Sequence, residues 1–567
     1  MRKLVEGKVL KVRAIGGLHV VTLAWDFVQG QDSKKKGLLG FAIERAEFDK
    51  NKKEVERYYL RGIKRFEHKD DGVAPGTPFP TSEHPIQSFQ WGDYTAKPAT
   101  VYDFTVIPVY GKPKLLALDR NSAQTVRIET EPEVEPGAKG ETRHNIYFNR
   151  GVAGSQAYAR KFGKTPPDQD EPESEQMKWL SRGLFEALTG FIRRAAGKDA
   201  DQYSLRAMVY EFRYLPVGQA FKEAADAGAD VAIRYEAQSY KEDNEAMIAK
   251  AKIKTLCKPQ KSRAGIRHNK FIVLIHKEKP VAVWTGSTNM SAGGIFGHSN
   301  VGHEVWDGEI AARYLAYWER LADPDVTRKP LVEENLKVEP TPDSVAMKDD
   351  RILTLYSPRD DKDSLETLHW YAKLMESAER IMCMTFAFNL DKIFEKVLLE
   401  SGDTLRYAVF DKNLKEDVAD QIDHVKNTVI ASGAILKKGD LENFIGEHLT
   451  GFNSNKYIHD KFLLVDPLKK RPIVVTGTAN FSGPSQTNND ENMLAIPADA
   501  RVADIYFGEF MRVFDHFYAR YIVGVMQEKG TGDPKAGFLK ENTDEWLPAH
   551  FKKRGRKDLR RRYFMEE

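Results

Sequence analysis

His268-Asn269-Lys270-Phe271, followed by Thr285-Gly286-Ser287-Thr288-Asn289-Met290-Ser291, recurs as His459-Asp460-Lys461-Phe462 and Thr476-Gly477-Thr478-Ala479-Asn480-Phe481-Ser482. In both copies the His precedes the Asn by 21 residues, and matching positions lie 191 apart. Over positions 268–291 the ungapped comparison gives nine identities: His268, Lys270, Phe271, Lys279, Val283, Thr285, Gly286, Asn289 and Ser291. Ordinary composition gives roughly one or two. Two copies of His, Lys and Asn in one register point to a duplicated unit with a paired site for a phosphate-bearing substrate.

The residue types fit that chemistry. Residues two apart on a strand face the same way, so His268 projects beside Lys270 and His459 beside Lys461. Lys is a cation with three donors and Asn a neutral amide donor; both suit the non-bridging oxygens of a phosphodiester. Histidine titrates near physiological pH, with a reference pKa of about 6.5. One imidazole can attack phosphorus while the other protonates the leaving oxygen. A single His–Lys pair lacks the second half of that mechanism.

H-x-K followed by G-S/T-x-N, twice in one chain, resembles the phospholipase D superfamily over roughly residues 175–525. The second copy has the fuller pattern H-x-K-x4-D as His459, Lys461 and Asp466, whereas Ile275 stands at the equivalent of Asp466 in the first. The resemblance implies catalytic His268, Lys270, Asn289, His459, Lys461 and Asn480, with no cofactor and no metal. It also implies an acidic residue downstream of each Asn that orients a histidine; Glu304 and Glu491 fit that place. In this family His268 would be the nucleophile, forming a phosphohistidine, and His459 the general acid and later activator of water. His298 and His303 read as loop or structural residues, since no H-E-x-x-H spacing accompanies them.

The flanking sequence supports a duplicated α/β unit. Met177, Leu180, Leu184, Leu188, Phe191 and Ile192 recur at helical spacing, then 205–212 reads as a strand, 216–228 as a helix and 230–235 as a strand. The second half repeats the order with a helix over 365–378, a strand over 380–388, a helix over 390–400 and a strand over 405–410. A further helix follows each catalytic loop, 309–321 and then 502–518. Strands alternating with helices predict mixed or parallel sheets covered on both faces. That the two α/β/α halves face each other across a cleft is what the resemblance implies.

At 567 residues the chain has room beyond the two halves. Runs such as 19–25 and 100–107 alternate β-branched and aromatic residues, which predicts a mainly β, sandwich-like N-terminal domain over 1–160. The Pro- and acid-rich stretch 165–173 places a linker at 161–176, leading into a first half at 177–325. A second linker at 326–350 leads to a second half at 351–525, and 526–567 reads as a basic C-terminal tail.

Cys257 and Cys383, the two cysteines, suggest neither a disulfide framework nor a zinc site. There is no continuous apolar stretch of signal-peptide type at the start, and no run of about 18 apolar residues anywhere. The expectation is a cytoplasmic protein with no transmembrane segment.

The net charge of +3 decides nothing about substrate, but its distribution bears on it. Residues 250–270 hold Lys250, Lys252, Lys254, Lys258, Lys261, Arg263, Arg267 and Lys270 without an Asp or Glu. Such a run at a cleft mouth attracts a polyanion, which makes Lys258, Lys261, Arg263 and Arg267 candidate substrate-binding residues. Residues Lys552 to Arg562 add a second basic cluster, a candidate contact for nucleic acid or an anionic membrane surface. Three readings follow. The first is a metal-independent phosphodiesterase that acts on nucleic acid, slightly favoured by the acid-free basic run. The second is a phospholipase D at an anionic lipid surface, with 293–297 and Phe444-Ile445 as candidate membrane-touching loops. The third is an inactive phosphate-binding protein, against which the intact His, Lys and Asn pairs speak. Oligomeric state is not legible.

Overall fold

The structure, a computed structural model, describes residues 1–566 except 68, 70–76, 137–141, 152–154, 164, 261–264, 348, 388–389, 434–457 and 529–537. The apolar run Phe271-Ile272-Val273-Leu274-Ile275 is buried along its length, as a strand covered on both faces must be. It lies within the strand Lys270–His276, at the middle of a seven-stranded sheet. The strand order is Arg143–Phe148, Val301–Trp306, Lys279–Gly286, Lys270–His276, Tyr203–Val209, Asp230–Tyr235 and Cys257–Pro259. The last three strands run parallel and the other neighbours antiparallel.

The second half repeats this sheet strand for strand: Leu353–Ser357, Glu491–Pro497, Ile473–Gly477, Phe462–Val465, Ile381–Phe386, Leu405–Phe410 and Thr428–Ser432. The parallel and antiparallel pairings also match. The duplication seen in the motifs therefore extends to the whole unit.

Between the two sheets lie the helices Gly308–Ala322 and Ala500–Glu528. One continuous core joins the halves there, with Phe271, Tyr314, Tyr317 and Trp318 of the first packed with Tyr356, Phe462, Tyr506 and Phe510 of the second. Tyr317 stacks on Tyr356 at 4.3 Å between ring centroids, and Tyr314 meets the same ring edge-on at 5.3 Å. The outer face of the first sheet is covered by Leu184–Arg193 and Leu215–Asp226, and that of the second by Glu366–Glu376 and Lys392–Leu399.

The N-terminal region forms two sheets, one of Arg2–Glu6, Leu10–Gly16, Val21–Phe27 and Gln90–Asp93. The other is built on Gly40–Phe48 and Val101–Lys112. Along the latter strand Tyr102, Phe104 and Val106 are buried while Val101, Asp103 and Thr105 are half-buried, the period of two of a sheet with one face on a core. That core holds Trp25, Phe41 and Phe104.

Three boundaries differ from expectation. Arg143–Phe148 pairs with Val301–Trp306, so the first α/β half takes residues that strand patterning assigned to the N-terminal domain. The stretch 326–350 contains the helix Arg328–Val338. The basic C-terminal stretch is folded rather than a tail: Phe538 bridges to Arg65, and in the helix Arg556–Met565 the side chains of Leu559 and Phe564 enter the central core. Arg561 is 9% exposed and pairs with Asp26 and Asp558, while Arg554 pairs with Asp403 at 2.7 Å.

Candidate active site

Each histidine sits just before a central strand, and its backbone is held by the opposite half. His268 N–H donates to the Asp490 carbonyl at 3.1 Å, and His459 N–H donates to the Ser299 carbonyl at 3.1 Å. The bridges Arg267–Asp490 and Ile458–Ser299 accompany them, and all four positions are related by the 191 offset. The two motifs therefore meet across one dyad.

The motif glycines have a steric reason. A Cβ at Gly286 would collide with the carbonyl oxygen of Val301, and one at Gly477 with that of Asn492, again 191 apart. Gly286 also has φ +122°, a conformation open to glycine. This close approach carries each G-x-x-N loop over the neighbouring strand, where Ser287 N–H donates to Val301 at 3.0 Å and Thr478 N–H to Asn492 at 2.9 Å.

The ring contacts cross the dyad as well. His268 donates through Nδ1 to Glu491 Oε2 at 2.7 Å, and His459 donates through Nδ1 to Asn300 Oδ1 at 2.9 Å. Asn300 is fixed in that orientation, since its Nδ2 donates to the Gly294 carbonyl at 2.7 Å and its Oδ1 also accepts from Ser287 Oγ at 2.8 Å. With both Nδ1 atoms engaged, Nε2 is the nitrogen each ring can offer to a substrate. Lys270 Nζ donates to the His268 carbonyl at 2.6 Å, and Lys461 Nζ to the His459 carbonyl at 2.7 Å.

Electrostatics couple the halves. Burial pushes His268 down to about 4, Lys270 and Lys461 push the same way, and Glu491 opposes them. Burial also takes His459 well below the usual histidine range, followed by Lys461, His298, Lys270 and His268. Both rings are therefore neutral at rest, each feeling the lysine of the other half. Although burial pushes Glu491 up, His268 and Lys270 hold it below the usual carboxylate range. Asp460, beside His459, is raised to about 7 by burial.

Asn289 Nδ2 donates to Glu211 Oε1 at 2.7 Å, while its Oδ1 has no hydrogen-bond partner among the described residues. Asn480 is held through its backbone N–H to Ser485 Oγ at 3.2 Å, and its Oδ1 is likewise unpartnered. Tyr210 stands edge-on to His268 at 4.7 Å, with the Lys270 ammonium 4.9 Å from its ring centroid.

Glu304 does not take the place the resemblance implies. Its Oε2 accepts from Asn145 Nδ2 at 2.9 Å and Trp306 Nε1 at 2.8 Å, and it makes no hydrogen bond to His268 or His459. Asn300, which lies 191 residues before Glu491, occupies that place; applying the motif offset to Glu491 would have found it. Arg267 is also corrected as a substrate contact. It is 1% exposed, and its Nη1 donates to both carboxylate oxygens of Asp490 at 2.9 Å. Lys258 is exposed at the edge strand, and Lys261 and Arg263 lie outside the described residues. Among the described residues, no group of three or more His, Cys, Asp or Glu is placed to hold a metal ion.

The chain carries a paired motif that resembles that of the phospholipase D superfamily. Among solved structures, it is similar to Nuc from Salmonella typhimurium, described as a phospholipase D family member. That likeness has 20% identity over 32% of this chain and 94% of that one, with TM-score 0.22. Phosphatidylserine synthase from Haemophilus influenzae gives 11% identity over 66% and 96%, TM-score 0.39. Yeast tyrosyl-DNA phosphodiesterase gives 11% over 53% and 86%, TM-score 0.31. No family model matches the chain. No curated protein matches it.

Proposed function

We propose that the protein is a phosphodiesterase that cleaves nucleic acid through a covalent phosphohistidine on His268. The observation that carries this reading is the crossed pinning of both imidazoles: each Nδ1 is bound by the opposite half, so two Nε2 atoms and two lysines serve one seam. In the first step His268 Nε2 attacks phosphorus, the P–O bond to the leaving group breaks, and the leaving oxygen takes a proton from His459. In the second, water gives a proton to His459 and attacks phosphorus, the P–N bond breaks, and His268 is restored. Glu491 supports the cationic ring formed when phosphorus is bound to His268, as carboxylates do for imidazolium. Lys270, Lys461, Asn289 and Asn480 hold the non-bridging oxygens.

Nucleic acid is preferred to lipid on one observation. Ile295 and Phe296, the large apolar residues of the candidate membrane-touching loop 293–297, are both 0% exposed; Phe444-Ile445 lie outside the described residues. Lys250, Lys252, Lys254 and Lys258 are exposed on the segment leading to His268. The test is a panel of single-stranded DNA, duplex DNA, RNA, phosphatidylcholine and cardiolipin, with wild type and His268→Asn, in excess EDTA. Nucleic-acid cleavage that the variant lacks supports the proposal. Lipid headgroup release instead, or activity that EDTA abolishes and a divalent metal restores, overturns it.

A further inference from the structure

The two histidines occupy equivalent positions, but their surroundings are not equivalent. Glu491 on the His268 side corresponds to Asn300 on the His459 side, and Asn489 corresponds to His298, each pair 191 residues apart. On the first side an amide supports a carboxylate, with Asn489 Nδ2 donating to Glu491 Oε1 at 3.1 Å. On the second a neutral amide holds the ring, and a third imidazole takes the other place. The His298 and His459 ring centroids are 5.8 Å apart, the planes inclined by 49°. His298 is half-buried whereas His459 is 3% exposed. The His298 backbone is fixed, its N–H donating to Gly293 at 2.9 Å and its carbonyl accepting from Asn149 Nδ2 at 2.6 Å.

The geometry points to His298 as a proton relay between solvent and His459, a positioning and relay residue rather than one that touches phosphorus. The assignment rests on the phosphodiesterase reading and explains a difficulty within it. A general acid must hold a proton before the leaving oxygen departs, yet His459 is buried and faces Lys461, Lys270, His268 and His298, and it is neutral at rest. His298, reached by solvent, gives a proton to His459; His459 passes it to the leaving oxygen. When His459 later takes a proton from water, it returns that proton through His298, so the cycle balances. His268 has no matching need, because a nucleophile must be neutral, and no imidazole stands at position 489.

The test uses the full chain with His298→Asn, which installs the residue of the equivalent position, and His298→Gln. Both are compared with wild type and His268→Asn on single-stranded DNA and bis(p-nitrophenyl) phosphate, after thermal melts confirm folding. Turnover of DNA is expected to fall about tenfold or more in both His298 variants and to recover with added imidazole in a concentration-dependent way. The first release of p-nitrophenolate, which needs no proton, is expected to stay near wild type. Wild-type rate and pH profile in both variants, or a loss that imidazole does not reverse, would overturn the relay while leaving the phosphodiesterase reading intact. A wild-type chain inactive on every phosphodiester would overturn the reading itself, and the relay with it.

Discussion

His268 and Glu491 lie 223 residues apart, on opposite halves, and share a 2.7 Å hydrogen bond that fixes which ring nitrogen faces the cleft. Glu304, the other downstream acid, is instead shared between Asn145 and Trp306. Replacing Glu491 with Gln is therefore expected to lower kcat by roughly 10²–10⁴-fold, the range for a disabled acid–base group. Glu304→Gln should keep kcat within about threefold and lower the melting temperature, since a charged hydrogen bond contributes about 1.5–3 kcal/mol. Steady-state kinetics and thermal melts on both variants check this, and equal kinetic losses would refute it.

Arg267 should behave as part of the seam, not as a substrate contact. Arg267→Ala leaves the Asp490 carboxylate buried without its guanidinium, a change that costs about 3–5 kcal/mol. The slope of substrate affinity against salt should stay unchanged, because no phosphate contact is lost. Urea unfolding and binding at several salt concentrations separate the two roles.

Asp466 takes three backbone N–H donors at the start of the strand Ile381–Phe386: Glu379 at 3.0 Å, Arg380 at 2.8 Å and Ile381 at 3.0 Å. Asp466→Ala is expected to destabilise the fold by about 2–4 kcal/mol, as buried donors lose their acceptor. The pH profile of any remaining activity should match wild type. A shifted profile at unchanged stability would instead place Asp466 in the chemistry.

Acid should weaken the protein partly through His550. It packs against Phe89 at 5.3 Å and Trp546 at 5.7 Å between ring centroids. Burial first, then Lys557, Arg560 and Arg561, push it down to about 3. The unfolded residue titrates near 6.5, so below that pH the unfolded chain binds a proton that the native ring refuses. Its contribution is complete above about 6.5 and is lost as pH falls toward 3. Urea unfolding of His550→Phe, relative to wild type, should shift in the variant's favour by roughly 3 kcal/mol between pH 7.5 and pH 4.5. No shift would mean the ring is already protonated in the native state.

The repeated motif made most of the architecture legible, because each His-to-Asn segment carries its own strand pair and the helices after it follow local apolar spacing. Arg143–Phe148 was not legible as part of the first sheet, since its partner Val301–Trp306 lies over 150 positions away and a strand carries no mark of its neighbour. The C-terminal helix was hidden by its charges: Leu559, Tyr563 and Phe564 form the buried stripe, but basic residues dominate the segment. At the site, His, Lys and Asn could be read from type and spacing. The orienting groups could not be read from type alone, because an amide at Asn300 does on one side what a carboxylate does on the other. Arg267 looked like part of a solvated basic run because Asp490, its partner, is distant in sequence.

The crossed holding of each histidine means that neither half fixes its own imidazole unaided. Asp490 and Glu491 complete the first ring, and Ser299 and Asn300 complete the second. Mild denaturant that parts the seam should silence both rings together, while each sheet still retains its own ladder of strands.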